Sequence, residues 1–275
     1  PAPGATVVQI GLDPIKERVP LWTFPVDLPI RADTGRALDL IADEATNLLT
    51  ASDRERIAAR QDALAARHEQ LREAWQEAAR AARQRPMGVA WVGHCLGQLL
   101  QEAPDYLVVD EMVTSNRAVW QQAPARQPGT WFGSGGSALG WGLGAALGVK
   151  LANPDRPVLS LVGDGCFVFG APLAALWAMQ TQSAPVLIVV LNNSCYNATK
   201  RPLVANYPEG YSVRQDRFVG IDLLPAPRYD KMAETVGGYG ERVEDPNDVL
   251  PALRRGLERV RAGQTVVLDM VLAHP

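Results

Sequence analysis

The sequence predicts an α/β fold: a mostly parallel sheet of about six strands with helices on both faces, preceded by a helical linker. Two observations carry this prediction. Residues 158–162 and 186–191 are short apolar runs rich in β-branched side chains, which is typical of buried strands. Residues 172–182, between them, place apolar side chains at roughly helical spacing. A strand, a helix and a second strand in this order form the unit from which parallel sheets are built.

The first 85 residues are predicted to form one strand and a long helical segment. The strand, at residues 6–10, cannot stand alone as a domain. Residues 36–85 are rich in Ala, Arg, Glu and Gln and form the predicted helical linker. Ile57, Leu64, Leu71 and Trp75 recur in it at heptad-like intervals. They could mark a partner-binding helix, but the sequence favours a solvated helix that packs on the core by one stripe.

Residues 86–275 form the predicted main domain, which begins where Pro86 ends the linker. The Gly- and Ala-rich stretch at 129–152 is typical of a closely packed helix. Residues 198–222 have no regular pattern, and we expect an irregular segment that covers the functional site. The remaining predicted elements are helices at 89–100, 229–237 and 249–262 and strands at 106–109 and 265–272.

The composition limits the classes of function. A chain of 275 residues that is 47% hydrophobic can bury one large core, or one domain with an appendage. A net charge of −3 provides no basic field for nucleic acid. Cys95, Cys166 and Cys195 are scattered without metal-binding spacing and read as reduced thiols. With no apolar run of transmembrane length and no signal peptide, we expect a cytoplasmic protein that binds neither nucleic acid nor membrane.

Polar residues follow the two apolar runs directly. Gly163-Asp164-Gly165 follows the first run and Asn192-Asn193 the second, with 26 residues between the two motifs. In open α/β sheets ligands bind at this carboxyl edge. A carboxylate and an amide oxygen suit Mg²⁺, while glycines and a following helix N-terminus suit an anion. Each motif alone is a common turn sequence, but their placement after two successive strands predicts a metal–diphosphate site.

The pair of motifs resembles the metal and diphosphate motif of thiamine-diphosphate-dependent enzymes, in the branch of acetolactate synthase, pyruvate decarboxylase and benzoylformate decarboxylase. The Gly-rich residues 135–146 resemble the same family's glycine-rich segment. Residues 108–111, with the hydroxyl residues that follow, resemble the first strand and turn of its diphosphate-binding domain. The resemblance covers about residues 86–275 well and residues 1–45 more loosely.

The resemblance implies a set of site residues. Asp164 and Asn193 would hold Mg²⁺ through side-chain oxygens, and Cys195 through its backbone carbonyl rather than its thiol. Leu139 would support the bent cofactor between its two rings. The other implied cofactor contacts are Thr114, Ser115, Ser137, Gly163, Gly165, Cys166 and Tyr196. Asp110 and Glu111 could be metal ligands by spacing, but two carboxylates would repel a diphosphate, so we expect at least one to point elsewhere.

The resemblance also implies that this chain is the diphosphate-binding half of a larger catalyst. Residues 1–35 resemble the end of the family's middle domain, so we expect the family's pyrimidine-binding domain and most of its middle domain to be missing from this chain. We therefore expect no catalytic residue in this chain, since the family's glutamate comes from that missing domain in another subunit. The expected partner is a chain or segment carrying that domain, in a homo- or hetero-oligomer, either a dimer or a tetramer.

Three functions stay open at this stage. The first is decarboxylation or carboligation of a 2-keto acid with thiamine diphosphate and Mg²⁺. The second is a 2-hydroxyacyl-CoA lyase with an acyl-CoA substrate, because residues 166–170 resemble the aromatic run of those enzymes. The third is a noncatalytic subunit that keeps the fold. The intact Asp164 and Asn193 argue against the third function, because such a subunit has no need of metal ligands.

Overall fold

The computed structural model describes residues 2–19, 25–125, 127–136 and 138–275. The chain divides into two compact units, Pro1–Glu69 and Gln70–Pro275. The long second helix of the chain continues across this division. The domain boundaries that the sequence suggests, at residues 35 and 85, remain a prediction.

The first unit contains a two-stranded parallel sheet and helical segments. Strand β1 (Val8–Gly11) matches the predicted strand, whereas its partner β2 (Leu28–Arg31) was not predicted. Helix α1 (Thr34–Leu48) begins at Asp33, whose side chain accepts a hydrogen bond from the Arg36 N–H. Helix α2 (Ala51–Ala81) follows after a break, so the predicted helical linker consists of two helices. At the break the Thr50 N–H donates to Asp53 Oδ2 and the Asp53 N–H donates to Thr50 Oγ1. This reciprocal pair caps the N-terminus of α2.

A six-stranded sheet forms the centre of the second unit, and all its neighbouring strands are parallel. The strand order is β4-β3-β5-β6-β8-β7. This confirms the predicted α/β fold. Two of the strands, β4 and β7, were not predicted. The bounds are β3 (Leu107–Glu111), β4 (Trp131–Gly133), β5 (Val158–Gly163), β6 (Leu187–Asn192), β7 (Tyr239–Val243) and β8 (Val266–Val271).

Helices cover both faces of this sheet, as predicted. Their bounds are α3 (Val89–Glu102), α4 (Asn116–Gln122), α5 (Trp141–Ala152), α6 (Asp164–Phe169), α7 (Pro172–Thr181), α8 (Asn197–Asn206), α9 (Tyr211–Arg214), α10 (Tyr229–Glu234) and α11 (Val249–Arg261). Side chains of α3, α4 and α11 form one buried cluster with one face of the sheet. Side chains of α5, α6, α7 and α10 form a second cluster with the other face. The alternation of side chains along each strand feeds both clusters.

Two local predictions were wrong. Residues 198–222, expected to be irregular, contain most of α8 and all of α9. The predicted helix through Leu139 begins only at Trp141, because Gly140 has a φ of +87°, a left-handed conformation outside the helical range. Leu139 therefore lies before the helix and not on it. Among the described residues, no helix is long and apolar enough to span a membrane.

Candidate functional site

A cavity of about 390 Å³ lies at the carboxyl ends of β3, β5 and β6, three neighbouring strands of the sheet. This edge is where the sequence predicted a site. All the candidate site residues that the structure describes line this one cavity: Thr114, Ser115, Leu139, Gly163, Asp164, Gly165, Cys166, Asn193, Cys195 and Tyr196. Ser137, the remaining candidate, lies outside the described residues. The roles of these residues remain predictions.

Asp164 is the first residue of α6 and is almost completely buried, with 2% of its surface exposed. Its Oδ1 accepts a hydrogen bond of 3.0 Å from the Gly165 N–H. Its Oδ2 is buried and has no hydrogen-bond partner within the described part of the chain. Burial raises the pKa of this carboxyl to about 6. A buried carboxylate oxygen without a partner is costly, so the geometry favours a cation at Oδ2.

The turn after β6 presents the other two candidate metal ligands. Asn193 Oδ1 accepts a hydrogen bond of 3.0 Å from the Cys195 N–H, and Ser194 between them has a left-handed φ of +56°. The Cys195 carbonyl accepts the Asn197 N–H at 2.8 Å, which leaves its second lone pair available. Burial raises the pKa of the Cys195 thiol to about 11, so the thiol is protonated and is a poor metal ligand.

The donor set fits a hard divalent cation. In the described portions of the chain, no group of three or more His, Cys, Asp or Glu side chains could hold a metal. A metal in this cavity would instead depend on one carboxylate together with amide and carbonyl oxygens. Proteins commonly bind Mg²⁺ through a few protein ligands of this kind, and water and phosphate oxygens complete its coordination.

Asp110 and Glu111 are both engaged away from this cavity. Asp110 accepts hydrogen bonds from the Met112 N–H and from the indole N–H groups of Trp120 and Trp131, at 3.0, 2.8 and 3.1 Å. Glu111 accepts the N–H groups of Gly140 and Gly142, at 2.6 and 2.7 Å. It thereby caps the start of α5, where a carboxylate is stabilised. Neither residue lines this cavity, as expected of at least one of them, but both line the larger cavity that adjoins it.

Gly165 makes room for an aromatic ring. A Cβ atom at this position would lie 2.5 Å from Cε1 of Tyr196, so the ring lies directly against the glycine. A Cβ at Gly163 would meet only ordinary contacts, the nearest at 3.8 Å. The two glycines of the motif therefore differ: Gly165 is required by packing, and Gly163 is not.

A second cavity of about 880 Å³ adjoins the first and shares Met112, Val113 and Leu139 with it. Leu139 is 39% exposed and stands between the two cavities. Val113 has a φ of +51°, which is rare for a β-branched residue and marks local strain in the cavity wall. Its role between two parts of a ligand remains a prediction.

A buried polar network that was not predicted supports the turn after β6. Asn192 Oδ1 accepts the Ser194 N–H at 3.1 Å, and its amide donates to Asp269 Oδ1 at 2.8 Å. Arg242 donates to the other oxygen of Asp269, at 3.0 Å. Burial raises the pKa of Asp269 to about 6, because the side chain is completely buried. A charged residue inside the apolar stretch 265–272 was the available signal for this network.

Comparison with known protein families gives a match over the second unit. The family described as thiamine pyrophosphate enzyme, C-terminal TPP binding domain, matches residues 112–270. These residues include Thr114, Leu139 and all three candidate metal ligands.

Individual relatives are longer than this chain. An acetolactate synthase large subunit of Mycobacterium tuberculosis is 37% identical over 151 residues, which is 54% of this chain and 26% of that protein. A sulfoacetaldehyde acetyltransferase of Rhodobacter capsulatus is 28% identical over 282 residues, covering 98% of this chain and 45% of that protein. The chain therefore spans less than half the length of these relatives.

Among solved structures, the thiamine diphosphate-dependent 4-hydroxybenzoylformate decarboxylase of Rhodococcus jostii RHA1 has a similar fold. The TM-score is 0.59 at 26% sequence identity, and the match covers 70% of this chain and 34% of that one.

Proposed function

Because the chain belongs to the thiamine pyrophosphate enzymes and contains their C-terminal TPP-binding domain, we propose that it is the diphosphate-binding half of a decarboxylase or carboligase that acts on a 2-keto acid. The proposed cofactors are thiamine diphosphate and Mg²⁺. The observation that carries the proposal is the buried, unpartnered Oδ2 of Asp164 in a cavity shared with Asn193 and Cys195. These atoms fit the metal in number and kind.

The residues of this chain would bind and orient the cofactor. Asp164 Oδ2, Asn193 Oδ1 and the Cys195 carbonyl would hold Mg²⁺. The hydroxyls of Thr114 and Ser115, which have no hydrogen-bond partner among the described residues, would donate to diphosphate oxygens. When bound, thiamine diphosphate supplies the nucleophilic carbon and electron sink for breaking or forming a bond next to a carbonyl. Leu139 would fix the cofactor's conformation, and the buried Cys166 would exclude water nearby.

The proposal includes a partner that carries a pyrimidine-binding domain and its glutamate. In the described cavity walls Glu111 is committed to the start of α5, so it is not available to act on the cofactor's second ring. Phe169, Leu173 and Trp177 are each more than half exposed. They follow Asp164 on α6 and α7 and form an exposed apolar face, which we call the α7 face. This face is suited to docking the partner.

The two other functions considered from the sequence gain no support from the structure. In the aromatic run at 166–170, Phe167 is buried in the core and Phe169 is exposed on the α7 face. Neither of these side chains lines the first cavity, so the run does not argue for a 2-hydroxyacyl-CoA lyase. A noncatalytic subunit would have no reason to keep a buried carboxylate oxygen without a partner.

Substitution of Asp164 tests the proposal. Asp164→Asn should weaken Mg²⁺-dependent binding of thiamine diphosphate at least about 100-fold, because it removes the charged ligand. At neutral pH the metal-free fold should stay as stable or become more stable, since a raised pKa means that ionisation of this group opposes folding. Calorimetry with cofactor and metal on the native assembly gives the affinity, and thermal unfolding gives the stability.

The matched control is Asp155→Asn, an exposed aspartate that does not line the cavity; it should change neither measurement. Unchanged metal-dependent affinity in Asp164→Asn would refute the metal assignment.

A further inference from the structure

A cavity of about 930 Å³ lies at the amino edge of the six-stranded sheet, at the opposite ends of the strands from the candidate site. Pro157, Pro185 and Gly263 line it, and they come just before β5, β6 and β8. Its wall also contains Lys150 of α5 and Arg261 of α11. No residue lines both this cavity and the candidate site, so a ligand here would be separate from the proposed cofactor.

Lys150 places a buried amine in this wall. The residue is 8% exposed, and its Nζ donates to the carbonyls of Pro154 and Arg156, at 2.7 and 2.8 Å. In the described part of the chain no carboxylate forms an ion pair with it. A neutral amine has two N–H groups, so these two hydrogen bonds use both of them and leave the nitrogen lone pair available. An ammonium has a third N–H, which no described residue accepts.

The surroundings of Lys150 favour its neutral form. Burial lowers the pKa of this amine because the charged form loses its hydration, and the charge of Asp155 opposes that effect. A neutral lysine amine is a nucleophile, and desolvation is one of the ways in which proteins activate it. An arginine in this position would stay charged and could not react in this way.

We propose that Lys150 is a site of acylation by small acyl phosphates. The lone pair of Nζ attacks the acyl carbon, the bond from that carbon to the phosphate oxygen breaks, and inorganic phosphate leaves with the bonding electrons. The nitrogen releases one proton to solvent, and the product is an uncharged amide. The inference is independent of the proposed function, because it concerns the other edge of the sheet.

The charged side chains of the cavity favour this class of reagent. The Arg261 guanidinium lies 3.6 Å from Asp105, and both side chains are about half exposed. Such a pair is weak, so the guanidinium is available to donate to a phosphate group. Asp105 and Asp155 both line the cavity and oppose a product with a new negative charge, such as the carbamate that CO₂ would form. The amide carries no charge.

The test treats the native assembly with acetyl phosphate at neutral pH and follows each lysine by peptide mass spectrometry. Lys150 should be acetylated at least about tenfold faster than Lys231, an exposed lysine whose ammonium is paired with Glu234. In the urea-unfolded chain the two lysines should react at similar rates, because the folded cavity creates the difference.

The reagent class is tested through Arg261. Arg261→Gln should slow acetylation of Lys150 by acetyl phosphate about threefold or more and leave its reaction with an uncharged acetyl thioester unchanged. The matched control is Arg254→Gln, an exposed arginine of the same helix outside the cavity, which should change neither rate.

Each of the other outcomes overturns a defined statement. If Lys150 of the folded protein reacts no faster than Lys231, the acylation site is wrong. If Lys150 keeps its advantage in urea, the local sequence and not the cavity causes it, and the proposal fails as well. If Arg261→Gln slows neither reagent, or slows both equally, the cavity does not recognise the phosphate group and the acyl phosphate class is wrong.

Discussion

Single residues of the site fall into those whose hydrogen bonds are complete and those whose polar atoms have no partner. Asp110 and Glu111 use their carboxylates on N–H donors of neighbouring segments. Asp164 keeps one buried oxygen without a partner among the residues described. Of the three carboxylates, Asp164 is therefore the one with an oxygen available for a cation. In this site Asp110 and Glu111 accept hydrogen bonds from N–H groups of the protein, whereas Asp164 keeps an oxygen for a ligand.

Leu139 gives the first prediction at this scale. Leu139→Ala should lower kcat by about tenfold to 100-fold and change cofactor affinity little. The side chain separates two cavities and would orient the cofactor's rings without holding its charge. Steady-state kinetics at saturating cofactor, with a calorimetric Kd, measures both quantities.

The matched control for Leu139 is Leu151→Ala, an exposed leucine at the end of α5 that does not line the cavities around Leu139. Lost cofactor affinity with unchanged kcat would show that Leu139 anchors the cofactor and does not orient it.

The sequence could predict Asp164 and Asn193 because both follow apolar strands, and the ends of parallel strands meet at one edge. It could not predict Asp269 or Arg242, since their contact with Asn192 joins segments far apart in the chain. Asn197 was also missed. Its burial depends on how α8 lies against the sheet, and a turn sequence does not encode that.

At the scale of elements, the ends of β6, β8 and β7 are joined by the chain of hydrogen bonds from Asn192 through Asp269 to Arg242. This network holds the turn that presents Asn193 and Cys195. Asp269 is buried, whereas Arg242 is partly exposed. Asp269 therefore contributes most of the network's effect on stability.

Asp269→Ala should lower the free energy of unfolding by about 1–3 kcal/mol, because it leaves a buried amide without a partner. It should also weaken Mg²⁺-dependent cofactor binding by about tenfold to 100-fold through the loosened turn. Urea unfolding and calorimetry measure the two effects.

Glu244→Ala is the matched control for this network, because Glu244 is the exposed second partner of Arg242. It should cost less than about 0.5 kcal/mol. If Asp269→Ala lowers stability but leaves cofactor affinity unchanged, the network supports the fold alone.

The elements that the sequence missed have physical reasons in common. Strand β4 has only three residues, and β7 contains a glycine and two adjacent charged residues, Glu241 and Arg242, on a partly exposed edge of the sheet. Neither offers the long apolar run that identified β5 and β6. Helix α8 was obscured by Pro202 in its interior, which normally argues against a helix.

At the scale of the whole molecule, both units expose apolar faces. In the first unit Leu38, Ile41 and Leu48 recur on α1 at helical spacing, and each is more than half exposed. In the second unit the α7 face is exposed. Faces of this kind mark contacts with other protein segments. The parallel sheet and its two layers of helices could be predicted from strand and helix periodicity. The exposed apolar faces could not, because the exposure of a helix depends on which other segments pack against it.

The last prediction concerns the partner. Purified residues 1–275 should show no decarboxylation of 2-keto acids and should self-associate, and activity should arise only when a chain with a pyrimidine-binding domain is added. Trp177→Arg should weaken the affinity of this self-association at least about tenfold, because it places a charge in the centre of the α7 face. Sedimentation and a decarboxylation assay measure association and turnover.

Val219→Arg, at an exposed apolar residue outside the α7 face, is the control and should associate normally. Robust turnover by the isolated monomeric chain would contradict the partner proposal and would require a catalytic glutamate within residues 1–275.

The hydrogen bonds from Gly140 and Gly142 to Glu111 have a consequence for how the cavity opens. They fasten the segment that carries Leu139 to the end of β3, which leads into Thr114. The segment that carries Leu139 and the turn that carries Thr114 are therefore tied to each other through Glu111. The opposite wall, formed by the start of α8, is held by separate contacts: Lys200 lies 3.6 Å from Asp222, and Leu203 packs against a buried cluster of Cys195, Phe218 and Ile221. Loss of the Glu111 carboxylate would therefore loosen one side of the cavity and leave the contacts of α8 intact.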